Sequence, residues 1–278
     1  MCPELFHIGP IPIRGYGLML AISFLLSVFY VERQTRRDGL RFEPFVALAY
    51  IMIVGGVVGA RLAYVIFHLD EFAGRWGSVF NPFAEGSYGI AGLNLQGGVI
   101  LAVLGSLAFC YFRRMSVLHT FDYFAPTIGI GLGITRIGCF LNGCCFGVPT
   151  ELPWGISFPE GSMPYHVFHE HAIHPTQLYS SAYGILLFMI LHYLLRRKRF
   201  DGQLVAIMFM VEAVFRFAIE PIRYYESAMH FPFFGLDPTY NQLMSLAMFV
   251  TGAAIYKWAP RRLGGLPEKV ADQPADEA

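Results

Sequence analysis

Seven apolar segments, at about 15–31, 45–67, 97–112, 119–142, 177–195, 203–220 and 241–258, limit what this chain can fold into. A helix that crosses a membrane needs about 20 mostly apolar residues. Lipid leaves a spanning backbone only its own groups to hydrogen-bond with. Of the 278 residues, 55% are hydrophobic and 14% are charged, where a soluble domain carries about 25% charged. Mean hydropathy is +0.49. These values exclude a disordered chain, a disulfide scaffold and an ordinary cytosolic enzyme. They predict an all-α polytopic membrane bundle. Twenty Lys and Arg balance twenty Asp and Glu, so bulk charge gives no reason to expect a nucleic-acid partner.

Basic residues alternate between connections. Arg33, Arg36, Arg37 and Arg41 follow the first segment, Arg113 and Arg114 the third, and Arg196, Arg197, Lys198 and Arg199 the fifth. Lys257, Arg261, Arg262 and Lys269 follow the last. The other connections hold only Arg14, Arg75 and Arg223, and the one at about 143–176 has no Lys or Arg. Positive charge stays in the cytoplasm, so the N-terminus is expected outside and the C-terminus inside. The first segment does not read as a cleavable signal, because its basic cluster follows the apolar stretch. Residues 1–263 are expected to form one membrane domain, and 264–278 a disordered polar cytoplasmic tail.

An ionisable side chain at the centre of a membrane helix costs at least about 2.5–3.5 kcal/mol, so each one needs a reason. Arg61 lies in the second segment, Asp122 and Arg136 in the fourth, and Glu212, Arg216 and Glu220 in the sixth, with Arg223 just beyond. Glu212, Arg216 and Glu220 are spaced four apart and Arg223 follows three later, which stacks them on one helix face. That stripe is either an ion-pair ladder that fixes packing or the wall of a polar cavity. Arg61 and Arg136 add cations with few acids nearby in sequence, which favours the cavity. Guanidinium binds phosphate oxygens in bidentate fashion, and the abundant phosphate carrier in a bilayer is phospholipid. A channel or proton relay is the rival reading.

The segment GIGLGITRIGCFLNGCCFGVP, 129–149, joins helix-packing glycines to Arg136, Asn142 and three cysteines. Asn142 and Gly143 mark a helix exit. The chain here resembles the prolipoprotein diacylglyceryl transferase family. Its signature is matched at Arg136, Gly138, Phe140, Asn142, Gly143 and Gly147. Further matches follow in order: Tyr16 and Gly17, Arg61 in GARLAYVIF, Gln96 with Gly97 and Gly98, His174, Pro175, Gln177 and Tyr179 in HPTQLY, Arg216, Glu220 and Arg223 in FRFAIEPIR, and Gln242 and Ser245 in NQLMS. Several motifs in order carry weight that none has alone.

The resemblance implies a multi-pass enzyme of the bacterial inner membrane. Such an enzyme moves diacylglyceryl from phosphatidylglycerol to the lipobox cysteine of preprolipoprotein signal peptides and releases glycerol 1-phosphate. It implies Arg136 at the phospholipid phosphate, Arg216 at the leaving phosphate, and Arg61 as a supporting cation. Glu220 orients an arginine or accepts the thiol proton. Tyr16, Asn142 and Gln96 are candidate partners of the head group, with Gly147, His174, Gln177, Tyr179 and Arg223 also in the substrate site. Nothing requires a metal or cofactor. The chain departs from the family at Gln96, where a histidine is common, and at Cys139 and Cys144, which replace an asparagine and an acid. Glu212 stands where a tyrosine is frequent. These changes bear on proton transfer rather than on the phosphate site. They fit a divergent enzyme of the family or a paralogue with another acceptor. A non-catalytic phospholipid binder or transporter is the alternative from a different class.

Two clusters stay open. His166, His169, His171 and His174 are either a wet His-rich loop or zinc ligands. Cys139, Cys144 and Cys145 lack a CxxC spacing, so core packing is preferred over a redox or metal site.

Overall fold

A computed structural model describes residues 4–8, 11–72, 74, 77, 94–225 and 238–262. In chain order these form β1 (Glu4–Ile8), β2 (Ile11–Arg14), α1 (Gly15–Arg37), α2 (Glu43–Phe67), α3 (Leu69–Phe72), α4 (Leu95–Phe112), α5 (Val117–Asn142), α6 (Met163–Phe168), α7 (Thr176–Leu195), α8 (Gln203–Ile219) and α9 (Tyr240–Arg262). A single 3-10 turn, Glu220–Ile222, follows α8. Each predicted apolar segment lies within a helix, except that 203–220 runs one residue past α8 into the 3-10 turn. Four of them, α1, α2, α5 and α7, are long and apolar enough to cross a membrane. α4 and α8 run 18 and 17 residues. The protein is a helical membrane protein.

The expectation of helices alone needs one correction. β1 and β2 pair antiparallel, with Ile8 opposite Ile11 and a bulge between Glu4 and Phe6. ELFHI and IPIR are short runs of β-branched and aromatic residues around Gly9-Pro10, too short to compete as a helix. Arg75, Trp76 and the tail 264–278 lie outside the described residues.

The chain divides into two compact units. One comprises residues 4–14 and 28–120. In it α2 and α4 meet backbone to backbone: a Cβ on Gly59 would stand 2.5 Å from Gly97 O, and one on Gly98 would stand 2.7 Å from Gly56 O. Small residues at such a seam let helices approach closely where lipid offers no hydrophobic drive. Arg61 is buried on α2, with its guanidinium carbon 5.6 Å from the Tyr64 ring centre and 5.1 Å from that of Phe72. Gln96 is exposed on the first turn of α4. The Asn94 side chain caps that turn, accepting from the Gln96 and Gly97 amides at 3.0 and 3.3 Å.

The other unit comprises 1–3, 15–27 and 121–278. α5 and α7 cross at Gly129, Gly133 and Gly184, and the Ser181 hydroxyl donates to Gly133 O at 2.6 Å. α8 packs on α9 where Gly252 faces Ala206 O. Leu187, Leu191 and Leu204 are fully buried between these helices. Large apolar side chains also point outward in both units, Leu25 at 71% and Phe67 at 72% exposure among them. A water-facing surface would not carry so many, and a lipid-facing one must.

Asp122 shows how the second unit tolerates a buried acid. Its Oδ1 accepts from the Leu204 and Val205 amides at 3.0 and 3.2 Å, and its Oδ2 from the Gly202 amide at 2.9 Å. Lys198 Nζ lies 3.3 Å from Oδ2 and also reaches Asp201 at 3.0 Å. A carboxylate on α5 therefore caps the first turn of α8, where free amides and the helix dipole favour a negative charge. Its role is architectural. Removing it orphans several buried donors, and breaking a buried pair costs about 3–5 kcal/mol. Asp122→Ala is expected to lower the thermal unfolding midpoint of detergent-solubilised protein by many degrees. An unchanged midpoint would contradict the capping role.

Candidate active site

α5 ends in a tight left-handed turn. The Gly143 amide donates to Phe140 O at 3.2 Å and the Cys144 amide to Cys139 O at 3.1 Å. Those are the two bonds of a Schellman ending, with Gly143 at φ 74° as the residue that needs positive φ. Cys145 follows at φ 60°, a conformation that strains a side chain. α7 holds the strained turn in place: Thr176 Oγ1 donates to Cys145 O at 2.8 Å and Gln177 Nε2 to Cys144 O at 2.9 Å. The result folds Cys144 and Cys145 back over Cys139, with the three sulfurs within 4.8 Å of one another. All three are free thiols. Hydrogen bonds from the Cys139 and Cys144 thiols hold the Cys145 thiol well below its ordinary range. Burial opposes them, and the Arg136 and Arg223 charges support them.

The loop after the cysteines folds back on itself. The Gly147 amide donates to His174 O at 3.1 Å, Val148 to Ile222 O at 3.0 Å, and Tyr224 to Phe146 O at 3.0 Å. Gly147 pairs with Arg223 as an isolated antiparallel bridge. Phe146, Phe158 and Ile173 form a buried cluster beneath, with Phe140, Phe168 and Tyr224 against it. This packing fixes where the Arg223 backbone sits relative to the turn at the end of α5.

The arginines differ in their partners. Arg216 is tied to Glu212, Nε to Oε1 at 3.1 Å. Among the described residues no carboxylate pairs with Arg136 or Arg223. Arg223 Nε is buried without a hydrogen-bond partner there, and its guanidinium lies 4.7 Å from the Tyr225 ring centre. Arg136 and Arg223 both act on the charge of Cys145, and Arg223 and Arg216 both act on Tyr225.

Glu220 is buried where α8 gives way after Ile219 to the 3-10 turn. Its Oε1 accepts from Thr239 Oγ1 at 2.7 Å and Asn241 Nδ2 at 3.0 Å, and its Oε2 from the Tyr225 hydroxyl at 2.8 Å. Burial pushes the Tyr225 phenol up to about 12, so it stays a donor to that carboxylate. Glu220 thus ties the chain after α8 to the start of α9. Thr239, Asn241 and Tyr225 carry no periodic signal. Only the need of a buried acid for donors could have pointed to them.

The remaining predicted residues fall as follows. Tyr16 opens α1 with its backbone against Gly138, within electrostatic reach of Arg136 and the three thiols. Asn142 is exposed at the end of α5. Gln177 is fully buried and its Oε1 has no partner among the described residues. Tyr179 OH accepts from Trp154 Nε1 at 2.8 Å and lies 3.3 Å from His174 Nδ1. Arg61 and Gln96 belong to the first unit. Among the described residues the histidines of the loop form no three-ligand group, and Cys139, Cys144 and Cys145 do.

A helical membrane protein with guanidinium groups and thiols gathered at the end of a core helix is the class that fold and site define. The family model for prolipoprotein diacylglyceryl transferase matches residues 3–258, and the chain belongs to that family. Curated relatives carry the name phosphatidylglycerol–prolipoprotein diacylglyceryl transferase. That of Vibrio vulnificus strain YJ016 is 31% identical over 96% of this chain and 94% of its own length. That of Campylobacter hominis is 30% identical over 91% of this chain and 89% of its own. That of Thermotoga maritima is 32% identical over 79% and 73%.

Proposed function

We propose that this chain is a transferase acting on phosphatidylglycerol. It moves the diacylglyceryl group to the lipobox cysteine thiol of preprolipoprotein signal peptides, forming a thioether and releasing glycerol 1-phosphate. The observation that carries this reading is the pair of arginines, Arg136 and Arg223, without a carboxylate partner among the described residues and both acting on Cys145. A structural ladder would neutralise them; an anionic head group needs them free. The names of the relatives support the same substrates. The enzyme sits in the bacterial inner membrane with seven spans, α1, α2, α4, α5, α7, α8 and α9. Its N-terminus is outside, its C-terminus is in the cytoplasm, and the membrane domain runs to residue 263. The alternation of basic connections supports that orientation.

In the reaction the acceptor thiol loses its proton, its sulfur bonds to the glyceryl carbon, and the carbon–oxygen bond to phosphate breaks. Charge builds on the departing phosphate, and fixed cations aimed at that charge lower the barrier. Arg136 and Arg223 take the phosphate. Arg216, held by Glu212, adds charge. Glu220 positions Tyr225 and the start of α9. Tyr16 and Asn142 line the approach to the thiols.

Purified protein in detergent, given phosphatidylglycerol and a lipobox-cysteine peptide, should yield a thioether product heavier by one diacylglyceryl group, read by mass spectrometry, with glycerol 1-phosphate in equal amount. No product alongside an active relative would leave a phospholipid binder in its place.

A further inference from the structure

We infer that Cys139, Cys144 and Cys145 bind one zinc ion, leaving its fourth position open for the acceptor thiol; the second half of this inference rests on the transfer reading above. Zinc–thiolate bonds are about 2.3 Å, so a tetrahedral site needs sulfurs about 3.8 Å apart. The three sulfurs already lie within 4.8 Å of one another, and small side-chain rotations close the difference.

The sequence alone favours core packing over a metal site here. Its spacing of five residues and then one has no CxxC step. The Schellman ending of α5 and the positive φ of Cys145 create the cluster. Thr176 and Gln177 anchor it through the carbonyls of Cys145 and Cys144. Strain at a non-glycine residue persists only where its surroundings fix it, and here two side chains from another helix do so.

Charge fits as well. Three thiolates and one zinc carry a net charge of minus one, and two cations stand close in the fold: Arg136 lies three residues before Cys139 on α5, and Arg223 is bridged to Gly147, two residues after Cys145. No fourth Cys, His, Asp or Glu joins the group among the described residues. Structural zinc sites are closed by four protein ligands, and those that act on a substrate keep one position open.

The open position has a use in this reaction. A thiol that coordinates zinc is deprotonated outright, and its proton passes to water. The bound sulfur then forms its bond to the glyceryl carbon as the carbon–oxygen bond breaks, and the leaving phosphate takes the electron pair. A side-chain base is not needed.

The test uses the full chain purified in detergent with reductant. About one zinc per chain is expected by elemental analysis, with loss in Cys139→Ser and in Cys145→Ser. Because those variants change a packed turn, the wild-type chain carries a second measurement. Cobalt exchanged for the metal should give the visible bands of a four-coordinate thiolate site, and a lipobox-cysteine peptide should shift them while its serine counterpart does not. Chelator should lower transfer by roughly 100-fold, the scale of a lost proton-removal step, and zinc should restore it. Four results overturn the inference: no metal, copper in place of zinc, a disulfide among the three cysteines by intact mass, or undiminished transfer by metal-free protein. The last leaves the transferase reading standing. Metal with a peptide-dependent cobalt shift but no thioether product supports the site and removes the transferase reading.

Discussion

Arg136→Ala is expected to slow diacylglyceryl transfer by roughly 10²–10³-fold, the cost of removing one fixed donor from a developing charge. Folding should be nearly untouched. Arg136 is half-buried on α5 and has no carboxylate partner among the described residues, so its loss orphans no acid. Arg216 is a poorer probe. Its removal strands Glu212, whose Oε2 is already buried without a partner, so stability and activity would fall together. Arg136→Lys keeps the charge but loses the planar fork, and two parallel bonds to phosphate become one. Its rate should fall between wild type and alanine. Both variants are to be measured for kcat/KM against phosphatidylglycerol, with the unfolding midpoint recorded beside it. An alanine variant within a few-fold of wild type would remove Arg136 from the phosphate site.

The membrane character and the seven long helices were legible, because lipid demands long apolar runs, whereas the short α3 and α6 leave no such run. The arginines were legible for the same reason: a charge in such a run is conspicuous. Asp122 was equally conspicuous, yet its explanation lies eighty residues on in the amides of Gly202, Leu204 and Val205, which no local pattern connects to it. Glu220 was conspicuous as a buried acid, but the donors that hold it, Tyr225, Thr239 and Asn241, lie beyond the end of α8, where no helical spacing reaches them. The ribbon β1–β2 was hidden by its brevity. The cysteine cluster was hidden because side-chain proximity there comes from a left-handed turn, which spacing rules for regular structure do not describe. Arg136 and Arg223 are 87 residues apart by their numbers in the chain, and it is the bridge to Gly147, made only by the folded loop, that sets the Arg223 backbone beside the segment after α5.

That bridge supplies the second large effect. Gly147→Ala is expected to damage the site more than any substitution of similar size. A Cβ there would stand 2.6 Å from His174 Cβ, 2.6 Å from Ile222 O and 2.7 Å from His174 O. Two of the three obstacles are backbone atoms, so no flexible side-chain end can swing away. Overpacking of this kind costs about 1–3 kcal/mol, and the easiest relief is to push 222–224 outward. Such a shift carries Arg223 away from the thiol turn and breaks the Val148–Ile222 and Tyr224–Phe146 bonds. Transfer should therefore drop by about 10-fold or more, the scale of 1.4 kcal/mol of lost transition-state stabilisation, even at temperatures where the variant stays folded. Gly56→Ala is the matched control: it lies within α2 with nothing inside 4 Å of its added carbon, and better helix propensity should leave stability equal or slightly raised. If Gly147→Ala lost midpoint but kept full transfer, the loop would serve only stability, and the positioning of Arg223 would have to come from elsewhere in the second unit.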